Sequence, residues 1–244
     1  PRSTLFPYTT LFRSTVKAGT GSAFGKGGIV ITNGGTLDVN AQDLTGETVM
    51  VSGSGVGGRG AIVSSGGQQI KALRNVTLAG DTTIGGAGPW NPGNNQNRWD
   101  IRAASTSSTN GCSLSTGGHP YKLTKTGGNQ VSIVAADVDP KLGDIDIQQG
   151  LMGWETVTSS MGDPASNIIV RAGATLSFYN STTLWNKHFI LYGNGVGTNL
   201  YNWSGANVVI GPMQLNGDCV FWGGGTSLLL SNVVGGAGTL IKNG

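Results

Sequence analysis

Apolar residues along the chain occur in short bursts that are bounded by glycine, asparagine and serine. Five of these bursts are GGIVIT (27–32), TVMVS (48–52), SNIIVRA (166–172), ANVVIG (206–211) and SLLLS (227–231). Short bursts between turn-forming residues are typical of β-strands joined by turns. The best candidate for a helix, GQQIKALRNV (67–76), shows no convincing helical period. The pattern therefore predicts an all-β protein.

The chain also resembles itself at long range. GGTLDVN (34–40) resembles GATLSFYN (173–180), VSGSGVGGRG (51–60) resembles LYGNGVGTNL (191–200), VTLAGDTTIGG (76–86) resembles MQLNGDCVFWGG (213–224), and KLTKTG (122–127) resembles TLIKNG (239–244). The first three matches keep their order and an offset of about 140 residues, while the last has a shorter offset. We predict an internal repeat of about 140 residues over about 30–165, with a second, incomplete copy over 170–244.

The spacing of the bursts favours a particular all-β architecture. Three short strands with their turns occupy roughly 20–25 residues, which is the length of one coil in a parallel β-solenoid. Glycine and asparagine suit the corners of such a coil because they accept positive φ angles. We therefore predict a β-solenoid over 15–244. An antiparallel β-sandwich remains the alternative, because TLDVN, KLTKT and GDIDIQQ alternate apolar and polar residues.

The last ten residues carry a more specific pattern. GGAGTLIKNG (235–244) contains G-x-G-T-L-x-K-x-G, which resembles the opening of the autotransporter-associated β-strand repeat, and GGTLDVN and GATLSF resemble the G-x-L strand of that family. The resemblance implies a right-handed parallel β-helix of the passenger type, secreted or on the bacterial outer surface. Because the sequence includes no translocator barrel and stops where the repeat would continue, the resemblance also implies a fragment that is open at both ends.

The first fourteen residues, PRSTLFPYTTLFRS, differ from everything that follows. They hold two of the six phenylalanines and two of the eight prolines but no glycine. No window in them has the apolar core of a signal peptide. Back-translated with one codon per residue, they resemble a widely used short-read sequencing adapter. We therefore expect residues 1–14 to be artefactual, not native, and exclude them from the fold.

Composition and charge exclude several function classes. The chain has 15 basic and 12 acidic residues, and without Arg2 and Arg13 the balance falls to 13 and 12, so it does not favour a nucleic-acid partner. No stretch reaches the ~20 apolar residues of a transmembrane helix. GSGVGG (53–58) has dinucleotide-loop spacing, but strand-like residues follow it where a helix is required. We expect no cofactor and no membrane span.

Two groups of residues are candidates for ligand chemistry. Asp137, Asp139, Asp144 and Asp146 lie close enough in sequence to be considered as Ca²⁺ ligands, although they lack EF-hand and calcium-roll spacing. The segment WNPGNNQNRWDIR (90–102) offers Trp90, Trp99, Asp100 and Arg102 as glycan contacts, because aromatic faces and polar groups together suit sugar rings. Inserted loops of this kind often carry function in repeat proteins.

These observations lead to three hypotheses about function. The first is a structural, adhesin-like surface region without catalytic activity, with an extracellular glycan or a host cell surface as partner. The second is a carbohydrate-binding or polysaccharide-cleaving β-helix, which would require carboxylates or a carboxylate and an arginine to converge on one face. The third is a spacer between other domains. In each case the open ends of the solenoid predict self-association.

Deletion of residues 1–14 tests the exclusion of that segment. We expect the midpoint of unfolding to stay within experimental error, because an adapter-derived segment makes no specific core contacts. Chemical denaturation of the full chain and of the shortened chain measures this. A loss above about 2 kcal/mol, the scale of burying one large apolar side chain, would contradict the expectation.

Overall fold

The computed structural model describes residues 14–25, 27–32, 34–90 and 96–244. The segment that we exclude as artefactual lies outside these residues, apart from Ser14. The chain winds into a parallel β-solenoid of about 9 turns with almost no helix. All strand pairs among the described residues run parallel. For example, β10 (Leu123–Lys125) and β11 (Gln130–Val134) each pair in parallel with the strands on both of their sides. The predicted solenoid is confirmed, and the antiparallel sandwich is wrong.

The strands form three stacks, and successive coils contribute strands to them in turn. The first stack consists of β1 (Thr15–Lys17), β3 (Thr36–Asp38), β5 (Ile62–Val63), the end of β7 (Asn75–Ile84), β10, β13 (Ile145–Ile147), β15 (Asn167–Val170), β18 (His188–Tyr192), β21 (Met213–Asn216) and β24 (Val234–Gly236). The second stack consists of β6 (Gln69–Leu73), β8 (Arg98–Arg102), β11, β14 (Leu151–Glu155), β16 (Thr175–Tyr179), β19 (Thr198–Ser204), β22 (Cys219–Gly223) and β25 (Leu240–Asn243).

The third stack is shorter and is interrupted. Its first part consists of β2 (Ile29–Ile31), β4 (Thr48–Gly53), the start of β7, β9 (Ser113–Ser115) and β12 (Asp137–Val138), and its second part of β17 (Leu184–Trp185), β20 (Ala206–Val209) and β23 (Ser227–Leu230). A single 3₁₀ turn, Val56–Gly58, lies between β4 and β5. Among the described residues, no helix is long and apolar enough to cross a membrane.

The core arises because in-register pairing places equivalent residues of successive coils above one another. Leu123 pairs with Ile145 and Ile145 with Ile168, so one coil takes about 22 residues. Alternate residues of each strand point inward. On the second stack this alternation produces a fully buried column of Ile101, Ile133, Trp154 and Phe178. Burial of such columns is the main source of folding free energy, at about 25 cal/mol per Å².

Two lysines interrupt the apolar interior. Lys125 lies in an inward column between Ile84 and Ile147, and its Nζ donates to the carbonyl oxygens of residues 126, 127 and 149 at 2.7–3.1 Å. Lys187 is equally buried and donates to three carbonyl oxygens at 3.0–3.2 Å. Burial lowers the pKa of Lys125 to about 7 and that of Lys187 to about 8. Each buried ammonium group therefore binds three backbone carbonyl oxygens of turn and loop residues.

The sequence matches between the two halves fall on corners of the coil. Thr36–Asp38 belongs to the first stack whereas its match, Thr175–Tyr179, belongs to the second. The glycines that precede these strands, Gly34 and Gly173, both have a φ of 81°, a conformation that glycine adopts without strain. The shared feature is thus a turn followed by a strand. The repeat of about 140 residues stays a prediction.

The two buried lysines predict a rise in stability with pH. Folding lowers the pKa values of both lysines from 10.5. Between about pH 7 and 9 the unfolded chain therefore binds more protons than the folded chain. In this range the free energy of unfolding rises with pH by about 1 kcal/mol per pH unit per lysine. Above pH 9 the effect is opposed, because burial raises the pKa of Cys112 to about 12. We expect Lys125→Met and Lys187→Met to flatten the slope in urea titrations at several pH values. The exposed Lys71→Met is the control, and an unchanged slope in both buried variants would refute the assignment.

The last coil predicts association of the 244-residue chain with itself. Among the described residues, β23, β24 and β25 each pair on one side only, and Leu229, Val233 and Leu240 are 55%, 72% and 41% exposed. Unpaired edges template strand addition. We expect Lys at Leu240 and Ile241 to reduce association at about 100 µM in light scattering, a range in which exposed edges aggregate. Val196→Lys, on a lateral loop, should leave it unchanged, and a monomeric parent chain would contradict the prediction.

Candidate functional site

The candidate site begins with alternating charges on β8. Because successive residues of a strand point to opposite sides, Arg98, Asp100 and Arg102 share the outer side of the second stack, and Trp99 and Ile101 point inward. Trp99 is fully buried, and its Nε1 donates to the carbonyl oxygen of Gly85 at 2.8 Å. The prediction of Trp99 as a glycan contact is therefore corrected: this ring belongs to the core and does not reach solvent.

Asp100 is held between two arginines. Arg98 Nε and Nη2 lie 2.7 and 2.9 Å from the Asp100 carboxylate oxygens. Arg102 Nε and Nη2 lie 2.9 and 2.8 Å from Asp100 Oδ2. Glu155, at the end of β14, joins the group because both of its carboxylate oxygens lie 2.9 Å from Arg98 Nη2. We call Arg98, Asp100, Arg102 and Glu155 the charge network.

Small residues beneath the charge network make room for it. Asp100 pairs in register with Ser132, and Ser132 with Gly153. A Cβ atom on Gly153 would lie 2.5 Å from Ser132 Oγ and 3.1 Å from Glu155 Oε1. The absence of that atom lets the Glu155 side chain lie across the sheet and reach Arg98, two strands away.

Burial and mutual attraction shift the pKa values in this network in opposite directions. Burial raises the pKa of Glu155, and the nearby Asp100 carboxylate adds to the effect while Arg98 opposes it. Burial alone would lower the pKa of Arg98, but the carboxylates of Asp100 and Glu155 raise it above its ordinary value. Two guanidinium groups thus face two carboxyl groups, and burial favours the protonated form of Glu155.

Five aromatic side chains lie beside the charge network, and we call them the aromatic cluster. They are Trp90, Tyr179, Tyr201, Trp203 and Trp222. The rings of Tyr201 and Trp203, two residues apart on β19, stack with centroids 5.4 Å apart. Trp222 meets Tyr201 at 4.7 Å, and Tyr179 meets Trp203 at 6.4 Å. Trp90 comes from the segment before β8 and packs on Tyr201 and Trp203 at 5.9 and 6.3 Å.

Two cavities flank the stacked pair of Tyr201 and Trp203. The larger one, which we call the arginine cavity, has a volume of about 720 Å³. Its lining residues are Arg98, Arg102, Thr106, Ser107, Glu155, Thr156, Val157, Tyr179, Asn180 and Trp203. The smaller one, of about 200 Å³, is lined by Trp90, Thr198, Tyr201 and Trp222. Together they form a polar recess and an apolar recess along one edge of the second stack.

The structure separates the four aspartates that we considered as Ca²⁺ ligands. Asp137 accepts from Ser159, and Asp144 from the backbone N–H of Asn167 at 2.8 Å. Asp139 accepts hydrogen bonds from the backbone N–H groups of Thr116, Gly118 and Lys141. Burial alone would raise the pKa of Asp139, but these hydrogen bonds lower it to about 2. Asp146 pairs with Lys122 and Arg171. Among the described residues no three His, Cys, Asp or Glu side chains are grouped to hold a metal ion.

Sequence reasoning identified part of this site and missed the rest. Arg102 lines the arginine cavity and Trp90 lines the smaller one. The prediction of Asp100 as a glycan contact is corrected, because its carboxylate is fully buried and paired with two arginines. Residues that were not anticipated are Arg98, Glu155, Tyr179, Tyr201, Trp203 and Trp222. A signal existed for some of them, since R-x-D-x-R at 98–102 and Y-x-W at 201–203 each place their residues on one side of a strand. Nothing in the sequence links Glu155 to Arg98.

A further cavity, of about 400 Å³, lies against the first stack. Its lining includes Asp38, Arg59, Ser64 and Ser65 but no aromatic side chain. Asp38 is engaged by the backbone N–H and the hydroxyl of Ser65 at 2.9 and 2.6 Å. This cavity lacks the combination of aromatic faces and charged groups that distinguishes the second stack.

Comparison of the chain with protein-family models, with curated proteins and with solved structures gives no match.

Proposed function

We propose that this β-solenoid is a non-catalytic, adhesin-like region that binds glycans along the outer side of its second stack. The observation that carries the proposal is the aromatic cluster, in which Tyr201, Trp203 and Trp222 lie within 5.4 Å of a neighbouring ring and next to the polar arginine cavity. The family resemblance of GGAGTLIKNG adds a location, secreted or on the bacterial outer surface, where such a ligand is met.

The chemistry of a sugar matches both parts of this surface. One face of a pyranose ring carries C–H groups, which pack on aromatic faces, and its hydroxyls require hydrogen-bond partners. Trp222 and Tyr179 are 38% and 36% exposed, so part of each ring is open to a ligand. Ligand sites of this kind combine apolar and aromatic walls with a few polar groups that set orientation. Here Arg102 and Asn180 supply those polar groups.

The charge network supports binding without cleavage. Glycoside hydrolysis requires a carboxylic acid that protonates the leaving oxygen and a second carboxylate that acts as base or nucleophile. Asp100 is fully buried and is paired with two arginines, and both Glu155 oxygens accept from Arg98. A catalytic acid must lie within hydrogen-bond reach of the substrate. These carboxyl groups are instead oriented to hold the arginines.

Trp203→Ala tests the aromatic surface. We expect it to weaken glycan binding about tenfold, which corresponds to about 1.4 kcal/mol, because it removes a ring that lies between the two recesses. Affinity electrophoresis against soluble xylan, glucomannan, polygalacturonate, alginate and hyaluronan measures binding. Tyr192→Ala is the matched control, since this ring is 40% exposed on the first stack and should not affect binding.

Two results would contradict the proposed function. Either no polysaccharide retards the parent chain, or Trp203→Ala and Tyr192→Ala bind equally well. Mass spectrometry of the incubated oligosaccharides tests the non-catalytic part separately. The appearance of shorter products that require the chain would show that the second stack cleaves its ligand.

A further inference from the structure

We propose that the glycan is acidic and that the arginine cavity binds the carboxylate of a uronic-acid residue through Arg102 and Arg98. This inference rests on the proposed function, because it names the ligand class of the same surface. It adds a charged subsite to the aromatic one and predicts discrimination between acidic and uncharged forms of one sugar.

Each of the two arginines that line the arginine cavity keeps donors that are not used within the charge network. Arg98 uses Nε and Nη2 for Asp100 and Glu155, and Arg102 uses Nε and Nη2 for Asp100. The Nη1 atoms of both side chains make no hydrogen bond to the described residues. A guanidinium group has five N–H donors and binds carboxylates in a planar, bidentate manner. Arg102, whose side chain is 17% exposed against 8% for Arg98, is the more accessible of the two.

Thr156 forms a strained corner beside the arginine cavity. Thr156 lines the arginine cavity, and its Oγ1 is buried without a hydrogen-bond partner among the described residues. Its φ is 57°, which is a strained conformation for a β-branched residue. In the next coil the equivalent corner is Asn180, with a φ of 47°, and asparagine tolerates this conformation. Because this strained corner borders the arginine cavity, a change at Thr156 is expected to affect binding there.

Charge complementarity favours an anion over a cation. Apart from Arg98, Arg102 and Glu155, the residues that line the arginine cavity carry no charge. The negative charges of Asp100 and Glu155 are both engaged by guanidinium groups, so a bound carboxylate meets free donors and no unpaired acid. The ring of the same sugar would pack on Trp203 and Tyr179, which also line this cavity.

Glu155 links this binding to pH. The charged groups that face Glu155 are Arg98, Asp100 and Arg102 from β8. Tyr179, which pairs in register with Glu155 on the neighbouring strand β16, is the other titratable residue next to it. Burial raises the pKa of Glu155, and a proton on Glu155 leaves the charge network with one excess positive charge. A bound carboxylate favours that proton. Affinity for an acidic sugar should therefore increase as the pH falls through the pKa of Glu155.

Isothermal titration calorimetry with matched ligands tests the inference on the full chain. The probes are oligomers of polygalacturonate, alginate and hyaluronan, each with its methyl ester, which keeps the ring and removes the charge. We expect at least one acidic oligomer to bind about tenfold more tightly than its ester, because only the acid can accept bidentate hydrogen bonds from an arginine. Arg102→Met should remove this preference, and Arg102→Lys should restore part of it.

Two further variants separate binding from folding. Glu155→Gln imitates the protonated acid, so we expect tighter binding of the acidic oligomer and loss of its pH dependence. Thr156→Asn relieves the strained corner, so we expect an unchanged or higher unfolding midpoint together with weaker binding. A purely structural role for these residues would move stability and leave the preference for acid over ester unchanged.

The possible outcomes distinguish the two proposals. If esters and acids bind equally well and Trp203→Ala still weakens both, the acidic subsite is wrong and the glycan surface stands. If Glu155→Gln weakens binding of the acid, the charge argument is overturned. If no acidic oligomer or ester binds, the acidic subsite is rejected, and the glycan surface is rejected with it only if xylan and glucomannan also fail to bind.

Discussion

The parallel, in-register stacking of coils is the constraint on which the rest of the structure depends. Each residue lies above its equivalent about 22 residues earlier. Its side chain therefore packs directly against the side chain at the same position of the neighbouring coil. Apolar residues that recur at this spacing become buried columns such as Ile133, Trp154 and Phe178. Charged residues would form ladders of like charge, which is a reason for the 11% charged content. Where charged residues of neighbouring coils meet, their signs are opposite, as for Asp146 with Lys122 and Arg171.

The charge network is an exception to this pattern, because it buries several charged side chains in neighbouring coils. Burying ions costs several kcal/mol per group, which pairing offsets only when geometry is good, so a buried ion pair is weak evidence for stability. Asp100 and Glu155 have good geometry, with six contacts of 2.7–2.9 Å to the two arginines. An apolar column at these positions would be at least as stable on physical grounds. This geometry agrees with the proposed role of the network in presenting arginine donors to the arginine cavity.

The aromatic cluster depends on a contact between distant parts of the chain. Tyr201 and Trp203 share a side of β19 through strand alternation, but Trp90 reaches them from the segment that precedes β8. The coils between them bring β8 and β19 onto the same stack, with β11, β14 and β16 in between. Backbone hydrogen bonding of Trp90 N–H to the carbonyl of Gly128, at 2.6 Å, holds this segment at the corner of the stack. The surface is thus assembled from residues more than 100 positions apart.

The sequence by itself determined the all-β class, the coil length and the corners. Each of these is local, since apolar bursts, turn residues and glycines such as Gly34 and Gly173 act within a few residues. It also placed Trp90, Asp100 and Arg102 in one short segment, 90–102. Only the tertiary structure decided that Trp99 is core, that Lys125 is buried between apolar columns, and that Glu155 meets Arg98. These outcomes depend on register, because a shift of one residue in a strand exchanges its inner and outer side chains. Register between coils is set by the packing of the whole stack, so no single burst encodes it.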